Sequence, residues 1–406
     1  MKPTSFRRSV PPTLIAIALS PAFPALAFDV NEQFSIGGIL APTGQCQSVS
    51  ALLPAESYGG ELVDESGAPL VDPATGDALL DDSMDPFDDE CRGGMPFQLE
   101  LSYHPNDSNE LFVKLGFAVA NGLNEVSPWV LAPWAVDLED DVKDINGRNR
   151  DYLLTAWYKY TQKFENGSLG ASIGIIDSTD YIDGNEYADD EFAKFMNEAF
   201  VHAPTSNLSS YDAGAALELE LGDWRIAGLG MNVGENDYGN NFNFWGGEIG
   251  YHPETNMGPG NYRLTVTGTS SAFLDPTETK EESLLSYGFS FDQAFGEILG
   301  AFLRFNWQEE DAAVDYKAQY SGGLNFSGKG WNRDEDNIGI GYAYLEGGNG
   351  DVDETQVFEA YYRAVLNEFA AITADVQYMD DDLVELDPRQ DDPDGWIFGL
   401  RLTAEL

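Results

Sequence analysis

Apolar and polar residues alternate one for one along much of this chain. Its last twelve residues, "GWIFGLRLTAEL", set Trp396, Phe398, Leu400, Leu402, Ala404 and Leu406 against Ile397, Gly399, Arg401, Thr403 and Glu405. The same beat runs through Phe97–Tyr103, Leu111–Val119, Ala215–Leu221, Tyr262–Val266, Leu299–Trp307 and Ile338–Tyr344. Successive side chains of an extended strand point to opposite faces, so a period of two marks strands with one apolar and one polar face. The pattern predicts sixteen strands. They begin near Gln33, Pro96, Glu110, Asp151, Ser168, Asp212, Trp224, Phe242, Tyr262, Leu284, Ile298, Tyr316, Asn337, Gln356, Ala371 and Trp396.

The links between these strands alternate in length from end to end. Short ones include "HPNDSN", "QKFENG", Gly222-Asp223, "DQAFGE" and Asn367–Phe369. Long ones include residues 42–95, 121–149, 177–211, 270–283 and 380–395. A soluble sandwich has no reason to sort its loops in this way, whereas an outer-membrane barrel keeps short turns inside and long loops outside. In hydrocarbon every backbone N–H and C=O needs a partner, so a sheet can cross only by closing on itself. The expected fold is all-β: a transmembrane, antiparallel, up-and-down β-barrel of sixteen strands, forming one domain over residues 28–406. An even strand number puts both termini on the periplasmic side, and the last strand alternates to its end because it must seal against the first. Tyr103, Trp224, Tyr251 and Trp307 fall at strand ends, where interfacial girdles sit. The apolar face would meet outer-membrane lipid and lipopolysaccharide.

The first residues stand apart from this pattern. Lys2, Arg7 and Arg8, the apolar run Leu14–Ser20 and the small residues Ala25-Leu26-Ala27 read as a secretory signal peptide over residues 1–27. No later stretch offers the roughly 18 apolar residues of a membrane helix. A formal charge of -49 excludes nucleic acid as a partner, since phosphate binding depends on Lys and Arg. That charge suits either a salt-adapted surface or an acidic vestibule that attracts cations. Aromatic residues at 13% and 42 glycines argue against a disordered acidic chain. Cys46 and Cys91 suit an oxidising compartment, where one disulfide between them is the simplest arrangement. It would close the acidic, Pro- and Gly-rich first extracellular loop, residues 42–95.

Catalytic chemistry has little to work with. The histidines are His104, His202 and His252 alone, and no G-x-S-x-G, H-E-x-x-H or P-loop is present. No enzyme activity and no cofactor are expected. The acidic stretches "DGNEYADDE" and "DPFDDE" do not complete an EF-hand spacing, so no metal site is expected either. Cations are scarce, which makes their placement informative. Lys114, Arg263, Arg304, Lys317, Arg363 and Arg401 fall on the polar phase of strands, aimed at the lumen, as do Glu100, Glu218, Glu248, Glu359 and Asp375. Such groups either brace the wall as ion pairs or line a path where their donors and acceptors meet a hydroxyl-rich solute. The loop over residues 177–211 is the candidate constriction, with Asp180, Asp183 and Asp190 supplying charge. Within it Phe192, Phe195, Met196, Ala199 and Phe200 recur at helical spacing opposite Lys194 and Asn197. A short amphipathic helix is expected there, its apolar face covered by the barrel interior or by the outer rim.

Several long segments carry a family likeness. "GIIDSTDYIDGNEYADDEFAKFMNEAF", "GENDYGNNFNFWGGEIGYHPE", "GNYRLTVTGTSSAFLDP", "DNIGIGYAYLEGGN" and "ETQVFEAYYRAVLNEFAAITADVQYM" resemble the carbohydrate-selective porin (OprB) family, from about Phe97 to the C-terminus. The resemblance implies a sixteen-stranded barrel in a Gram-negative outer membrane, passive diffusion of small hydrophilic solutes such as sugars, and loops that fold inward to narrow the pore. Asp177–Phe200 is the matching loop. The chain departs from the family in its first loop with the cysteine pair, in ending on Leu406 rather than an aromatic residue, and in its charge. A general cation-preferring porin and a loop-plugged structural or docking barrel remain as alternatives, and both a monomer and a homotrimer stay open.

Overall fold

Each predicted strand has a counterpart, and each pairs antiparallel with the next. The structure, a computed structural model, describes residues 28–406 apart from 56, 64–67, 74, 88, 125, 135–137 and 386, so the predicted leader lies outside the described residues. Strand β1 runs as Phe34–Leu40 and Thr43–Ser50, followed by β2 (Glu90–Asn106), β3 (Asn109–Val119), β4 (Leu153–Phe164) and β5 (Gly167–Ile176). Next come β6 (Asp212–Leu221), β7 (Trp224–Val233), β8 (Phe242–Tyr251), β9 (Gly258–Thr269), β10 (Leu285–Phe295) and β11 (Leu299–Gln308). The last five are β12 (Tyr316–Ser327), β13 (Asn337–Gly347), β14 (Val352–Asn367), β15 (Ala370–Leu383) and β16 (Asp394–Glu405). Strand β16 returns to β1, pairing Leu400 with Gly44 and Glu405 with Ile39, and this closes the barrel. Below that seam the short strand Phe28–Asn31 covers the rest of the β1 edge.

The two faces are inverted relative to a soluble protein. Leu264 leaves 60% of its surface exposed while its neighbour Arg263 leaves 7%. Trp245, Ile249, Phe398 and Leu400 are likewise exposed, and Glu248, Thr265, Gln377 and Thr403 are buried. An apolar band of this extent is stable only against lipid, because in water it would be an aggregation surface. Rings gather at the strand ends on this outer face: Trp224 and Tyr251 lie 4.7 Å apart, and Tyr378 and Trp396 lie 5.1 Å apart. These are the girdle positions that anchor a barrel at the interfaces.

The first loop is shorter than its sequence suggested. Residues 43–50 and 90–95, expected to be loop, continue β1 and β2. The apparent break is Pro42, which cannot donate to a ladder. The register is nevertheless unchanged across it, with Leu40 opposite Phe97 and Thr43 opposite Gly94. At this outer end Gln45 and Gln47 take the inward positions, so the strand lacks the apolar beat that marks it lower down. Cys46 and Cys91 are directly opposed across β1 and β2 and are joined by a disulfide.

Candidate functional site

The interior of the barrel is filled from one side by two loops. Residues 177–211, the third loop, follow β5, enter the lumen and lie against the wall from β6 to β16. Wall carboxylates take the loop's N–H groups. Glu359 accepts from Met196 N at 2.6 Å and Asn197 N at 3.0 Å, Glu248 from Asp183 N at 2.9 Å, and Asp292 from Glu186 N at 3.1 Å. Wall donors take its carbonyls. Arg304 donates to Phe200 O at 3.0 Å, Val201 O at 2.9 Å and Asp183 O at 2.8 Å. Arg401 donates to Glu191 O and Lys194 O, Gln319 to Ala199 O, Thr403 to Phe192 O, and Arg225 to Tyr181 O. A buried peptide group without a partner costs free energy of the order of a lost hydrogen bond, so this lattice is what lets an irregular segment lie inside the barrel.

That lattice also explains why the predicted helix is short. Only Glu198–Val201 forms an α-helical turn, capped by the side chain of Asn197 accepting from Ala199 N. Over 190–197 one helical bond forms, Lys194 N to Asp190 O at 3.0 Å, while other peptide groups bond to Arg401, Thr403 and Glu359 on the wall, so the helical spacing is realised mainly as packing. Phe195 and Phe200 stack at 4.7 Å and pack against Phe302, Tyr361 and Ala343. The wall makes room for them: a side-chain carbon on Gly341 would meet the Phe200 ring at 2.7 Å, and one on Gly300 would collide with the Tyr187 ring.

The second loop, residues 120–152, also enters the lumen, which its sequence reading did not foresee. Leu123, Trp129 and Leu131 join Ala188, Phe195, Ala199 and Phe200 in one buried cluster against the wall. Gln47 of β1 donates to Val126 O at 2.7 Å, and Trp134 Nε1 to Glu191 O at 3.3 Å. Arg148 reaches Asp212 at 3.2 Å and Asn232 O at 2.9 Å, fixing the far end of the loop to β6 and β7. The available signal was "VSPWVLAPW", residues 126–134, too apolar for a loop in water. Eight of the ten described non-glycine residues with positive φ lie in 120–211, Asp183, Tyr152 and Tyr211 among them. Backbone held in such conformations persists where surrounding contacts over-determine it.

The wall cations named from sequence divide into distinct settings. Arg304 and Arg401 are fully buried behind the third loop. Arg263 pairs with Asp292 at 2.7 Å, and Arg363 with Glu405 at 3.4 Å. Glu218 is bound to Lys159 and to Arg225, and Arg225 also holds Glu248 at 3.1 Å. Lys317 is the extra residue of a bulge in β12 and pairs with Glu346 at 3.0 Å near the outer rim, 35% exposed, so it does not face the lumen as its alternation implied. Asp183, Lys194, Phe195 and Asn197 are buried between loop and wall.

A cavity of about 800 Å³ lies between the third loop, residues 138–146 of the second loop and the wall formed by β1 to β4. Lys114 and Glu100, opposed on β3 and β2 and 3.5 Å apart, line its wall side. Asp180, Asp190 and Phe192 line its loop side, joined by Asp177, Asp189, Glu191 and Glu198, which sequence reading did not single out. In all, nine acidic residues, one lysine and one histidine border it among the described residues. Burial pushes Asp180 and Glu198 above the usual carboxylate range and Glu191 up to about 7. His202 shows the opposite balance. Burial opposes its charge, but Asp183 and Asp189, each 3.7 Å from Nδ1, and Glu191 raise it to about 9. Among the described residues no group of three or more His, Cys, Asp or Glu side chains is placed to hold a metal ion.

Comparison with known proteins places this architecture. A model described as "Carbohydrate-selective porin, OprB family" matches residues 135–406. An uncharacterized protein of Aquifex aeolicus (strain VF5) is 33% identical over 276 residues, covering 68% of this chain and 75% of that one. The high pH structure of Pseudomonas putida OprB is similar with a TM-score of 0.62 at 14% identity, covering 92% of this chain and 94% of that chain. The low pH structure of the same protein gives 0.50 at 11% identity, over 92% and 93%. At such identities the structural likeness speaks to the fold alone.

Proposed function

The chain belongs to the carbohydrate-selective porin family, and from that premise we propose that it passes small neutral carbohydrates through the outer membrane by diffusion. It is an outer-membrane porin by family and by fold. The finer reading, that sugars are the solutes and that the cavity beside Lys114 and Glu100 is their path, rests on one observation. The third loop is pinned along β6–β16, and a cavity of about 800 Å³ lies along β1–β4 with Lys114, Glu100, Asp180 and further hydrogen-bonding side chains in its lining. Transport of this kind needs no chemical step. Solutes move down their gradient past weak polar contacts, which must release as readily as they hold. Delivery to the membrane is by the leader over residues 1–27, removed after Ala27.

Liposome swelling with a size series of neutral sugars tests this. Proteoliposomes in a monosaccharide should swell fastest, with disaccharides slower and trisaccharides slower still. A second reading, a barrel plugged by its own loops and serving as a docking scaffold, is favoured by the burial of both inner loops in the lumen. It requires swelling no faster than in protein-free liposomes for every sugar.

A further inference from the structure

The charge bordering the cavity is one-sided because most wall cations are committed elsewhere. Arg225, Arg304 and Arg401 give their N–H groups to carbonyls of the third loop, and Arg263 is held by Asp292. None of the four borders the cavity. Lys114 does, and it is already paired with Glu100. Across from it stand Asp180, Glu191 and Glu198, with no described cation within salt-bridge distance; burial favours their neutral forms, so the negative charge of the lining grows as pH rises through about 7. A narrow aqueous path with low-dielectric walls concentrates the field of such groups, and a lining of one sign selects ions of the other. No binding site is needed for this; the unbalanced lining suffices.

We propose that this pore sorts solutes by charge as well as by size, admitting neutral sugars, amino sugars and small cations and turning away sugar acids and sugar phosphates. The proposal rests on the porin reading above and adds a substrate class to it. A structural role for the acids would leave charge discrimination to be set by the rims. A lining role makes it depend on Asp180, Glu191 and Glu198.

The test compares glucose, glucosamine and gluconate in proteoliposome uptake, alongside the reversal potential of a planar bilayer in a potassium chloride gradient. With the wild-type protein, glucosamine should enter fastest and gluconate slowest, by on the order of tenfold between them, and the reversal potential should have the sign of a cation-preferring pore. The variant Asp180→Asn, Glu191→Gln, Glu198→Gln should shrink that ratio several-fold. A rim variant, Asp353→Asn with Glu346→Gln, should keep the wild-type ratio. Should the inner variant fail to fold, the wild-type protein still carries the test. At about 1 M salt the Debye length contracts to about 3 Å, and the charge preference should fade relative to about 0.01 M. Failure of glucose to enter would remove the carbohydrate reading itself. Glucose entry with gluconate as fast as glucosamine would overturn the charge proposal alone. So would an inner variant that folds and keeps full discrimination.

Discussion

Arg304 is fully buried, and its guanidinium meets three carbonyls of a loop more than a hundred residues earlier. Its strand position said that it points inward; nothing local said that a loop would be waiting there. The same holds for Glu359, whose carboxylate receives two N–H groups at the tip of the third loop. His202 adds a titratable element to this seating. Its charge is favoured in the docked loop, raised from an ordinary 6.5 to about 9 by Asp183, Asp189 and Glu191 against the effect of burial. A raised histidine contributes stability that is fully present below about pH 6.5 and is lost as pH rises through about 9. The third loop should therefore loosen progressively between about pH 6.5 and 9, seen as growing fluctuation of single-channel current. His202→Gln should show that noise already at neutral pH. A current trace equally quiet from pH 7 to 10 would discard this role for His202.

Among elements, the strands and the inner loops obey different rules. A strand is legible because its alternation is local: Phe398 and Leu400 face out whatever the rest of the chain does. The third loop is legible only in part. The apolar spacing of Phe192, Phe195, Met196, Ala199 and Phe200 correctly identified a segment that needs cover, yet the backbone between Asp190 and Asn197 is not helical because the wall supplies partners of its own. Packing at this seam is tight enough to test. Gly341→Val places carbon where the Phe200 and Phe195 rings lie, 2.7 and 3.0 Å away. Overpacking of this kind costs about 1–3 kcal/mol, which falls on the docking of the loop rather than on the strand ladder. Limited proteolysis should cut the third loop of the folded variant faster than that of the wild type. Gly44→Val, with no atom within 4 Å, should behave as wild type. Equal cutting in all three proteins would show that the ring cluster does not hold the loop.

For the whole molecule, the disulfide and the outer loops form a layer separable from the pore. Cys46–Cys91 ties β1 to β2 at the base of the first loop. Tyr58 donates to Asp387 at 3.0 Å, and Arg389 to Asp82 O at 2.7 Å, so the first loop also rests on the last. A cross-link closing a loop of this length restricts the unfolded chain by about 4 kcal/mol in the chain-entropy account. Reduction, or the double variant Cys46→Ser, Cys91→Ser, should lower the temperature at which the barrel converts to its unfolded band on a gel. Single-channel conductance should not change, because neither cysteine borders the cavity. A changed conductance would tie the first loop to the pore.

The sequence by itself determined the barrel: the strand number, the face each strand turns to lipid, the sorting of long loops from short, and the cysteine pairing. These follow from periodicity and from the rule that hydrocarbon leaves no backbone group unpaired, both of which act within a strand and its neighbours. Only the tertiary structure decided which cations remain in the channel. Lys114 and Arg304 read alike along the chain, each a cation on the polar phase of a strand. Lys114 borders open space while Arg304 is covered, because the third loop lies along β6–β16 and leaves β1–β4 clear. That choice is made by hydrogen bonds spanning a hundred residues or more, which no local pattern encodes.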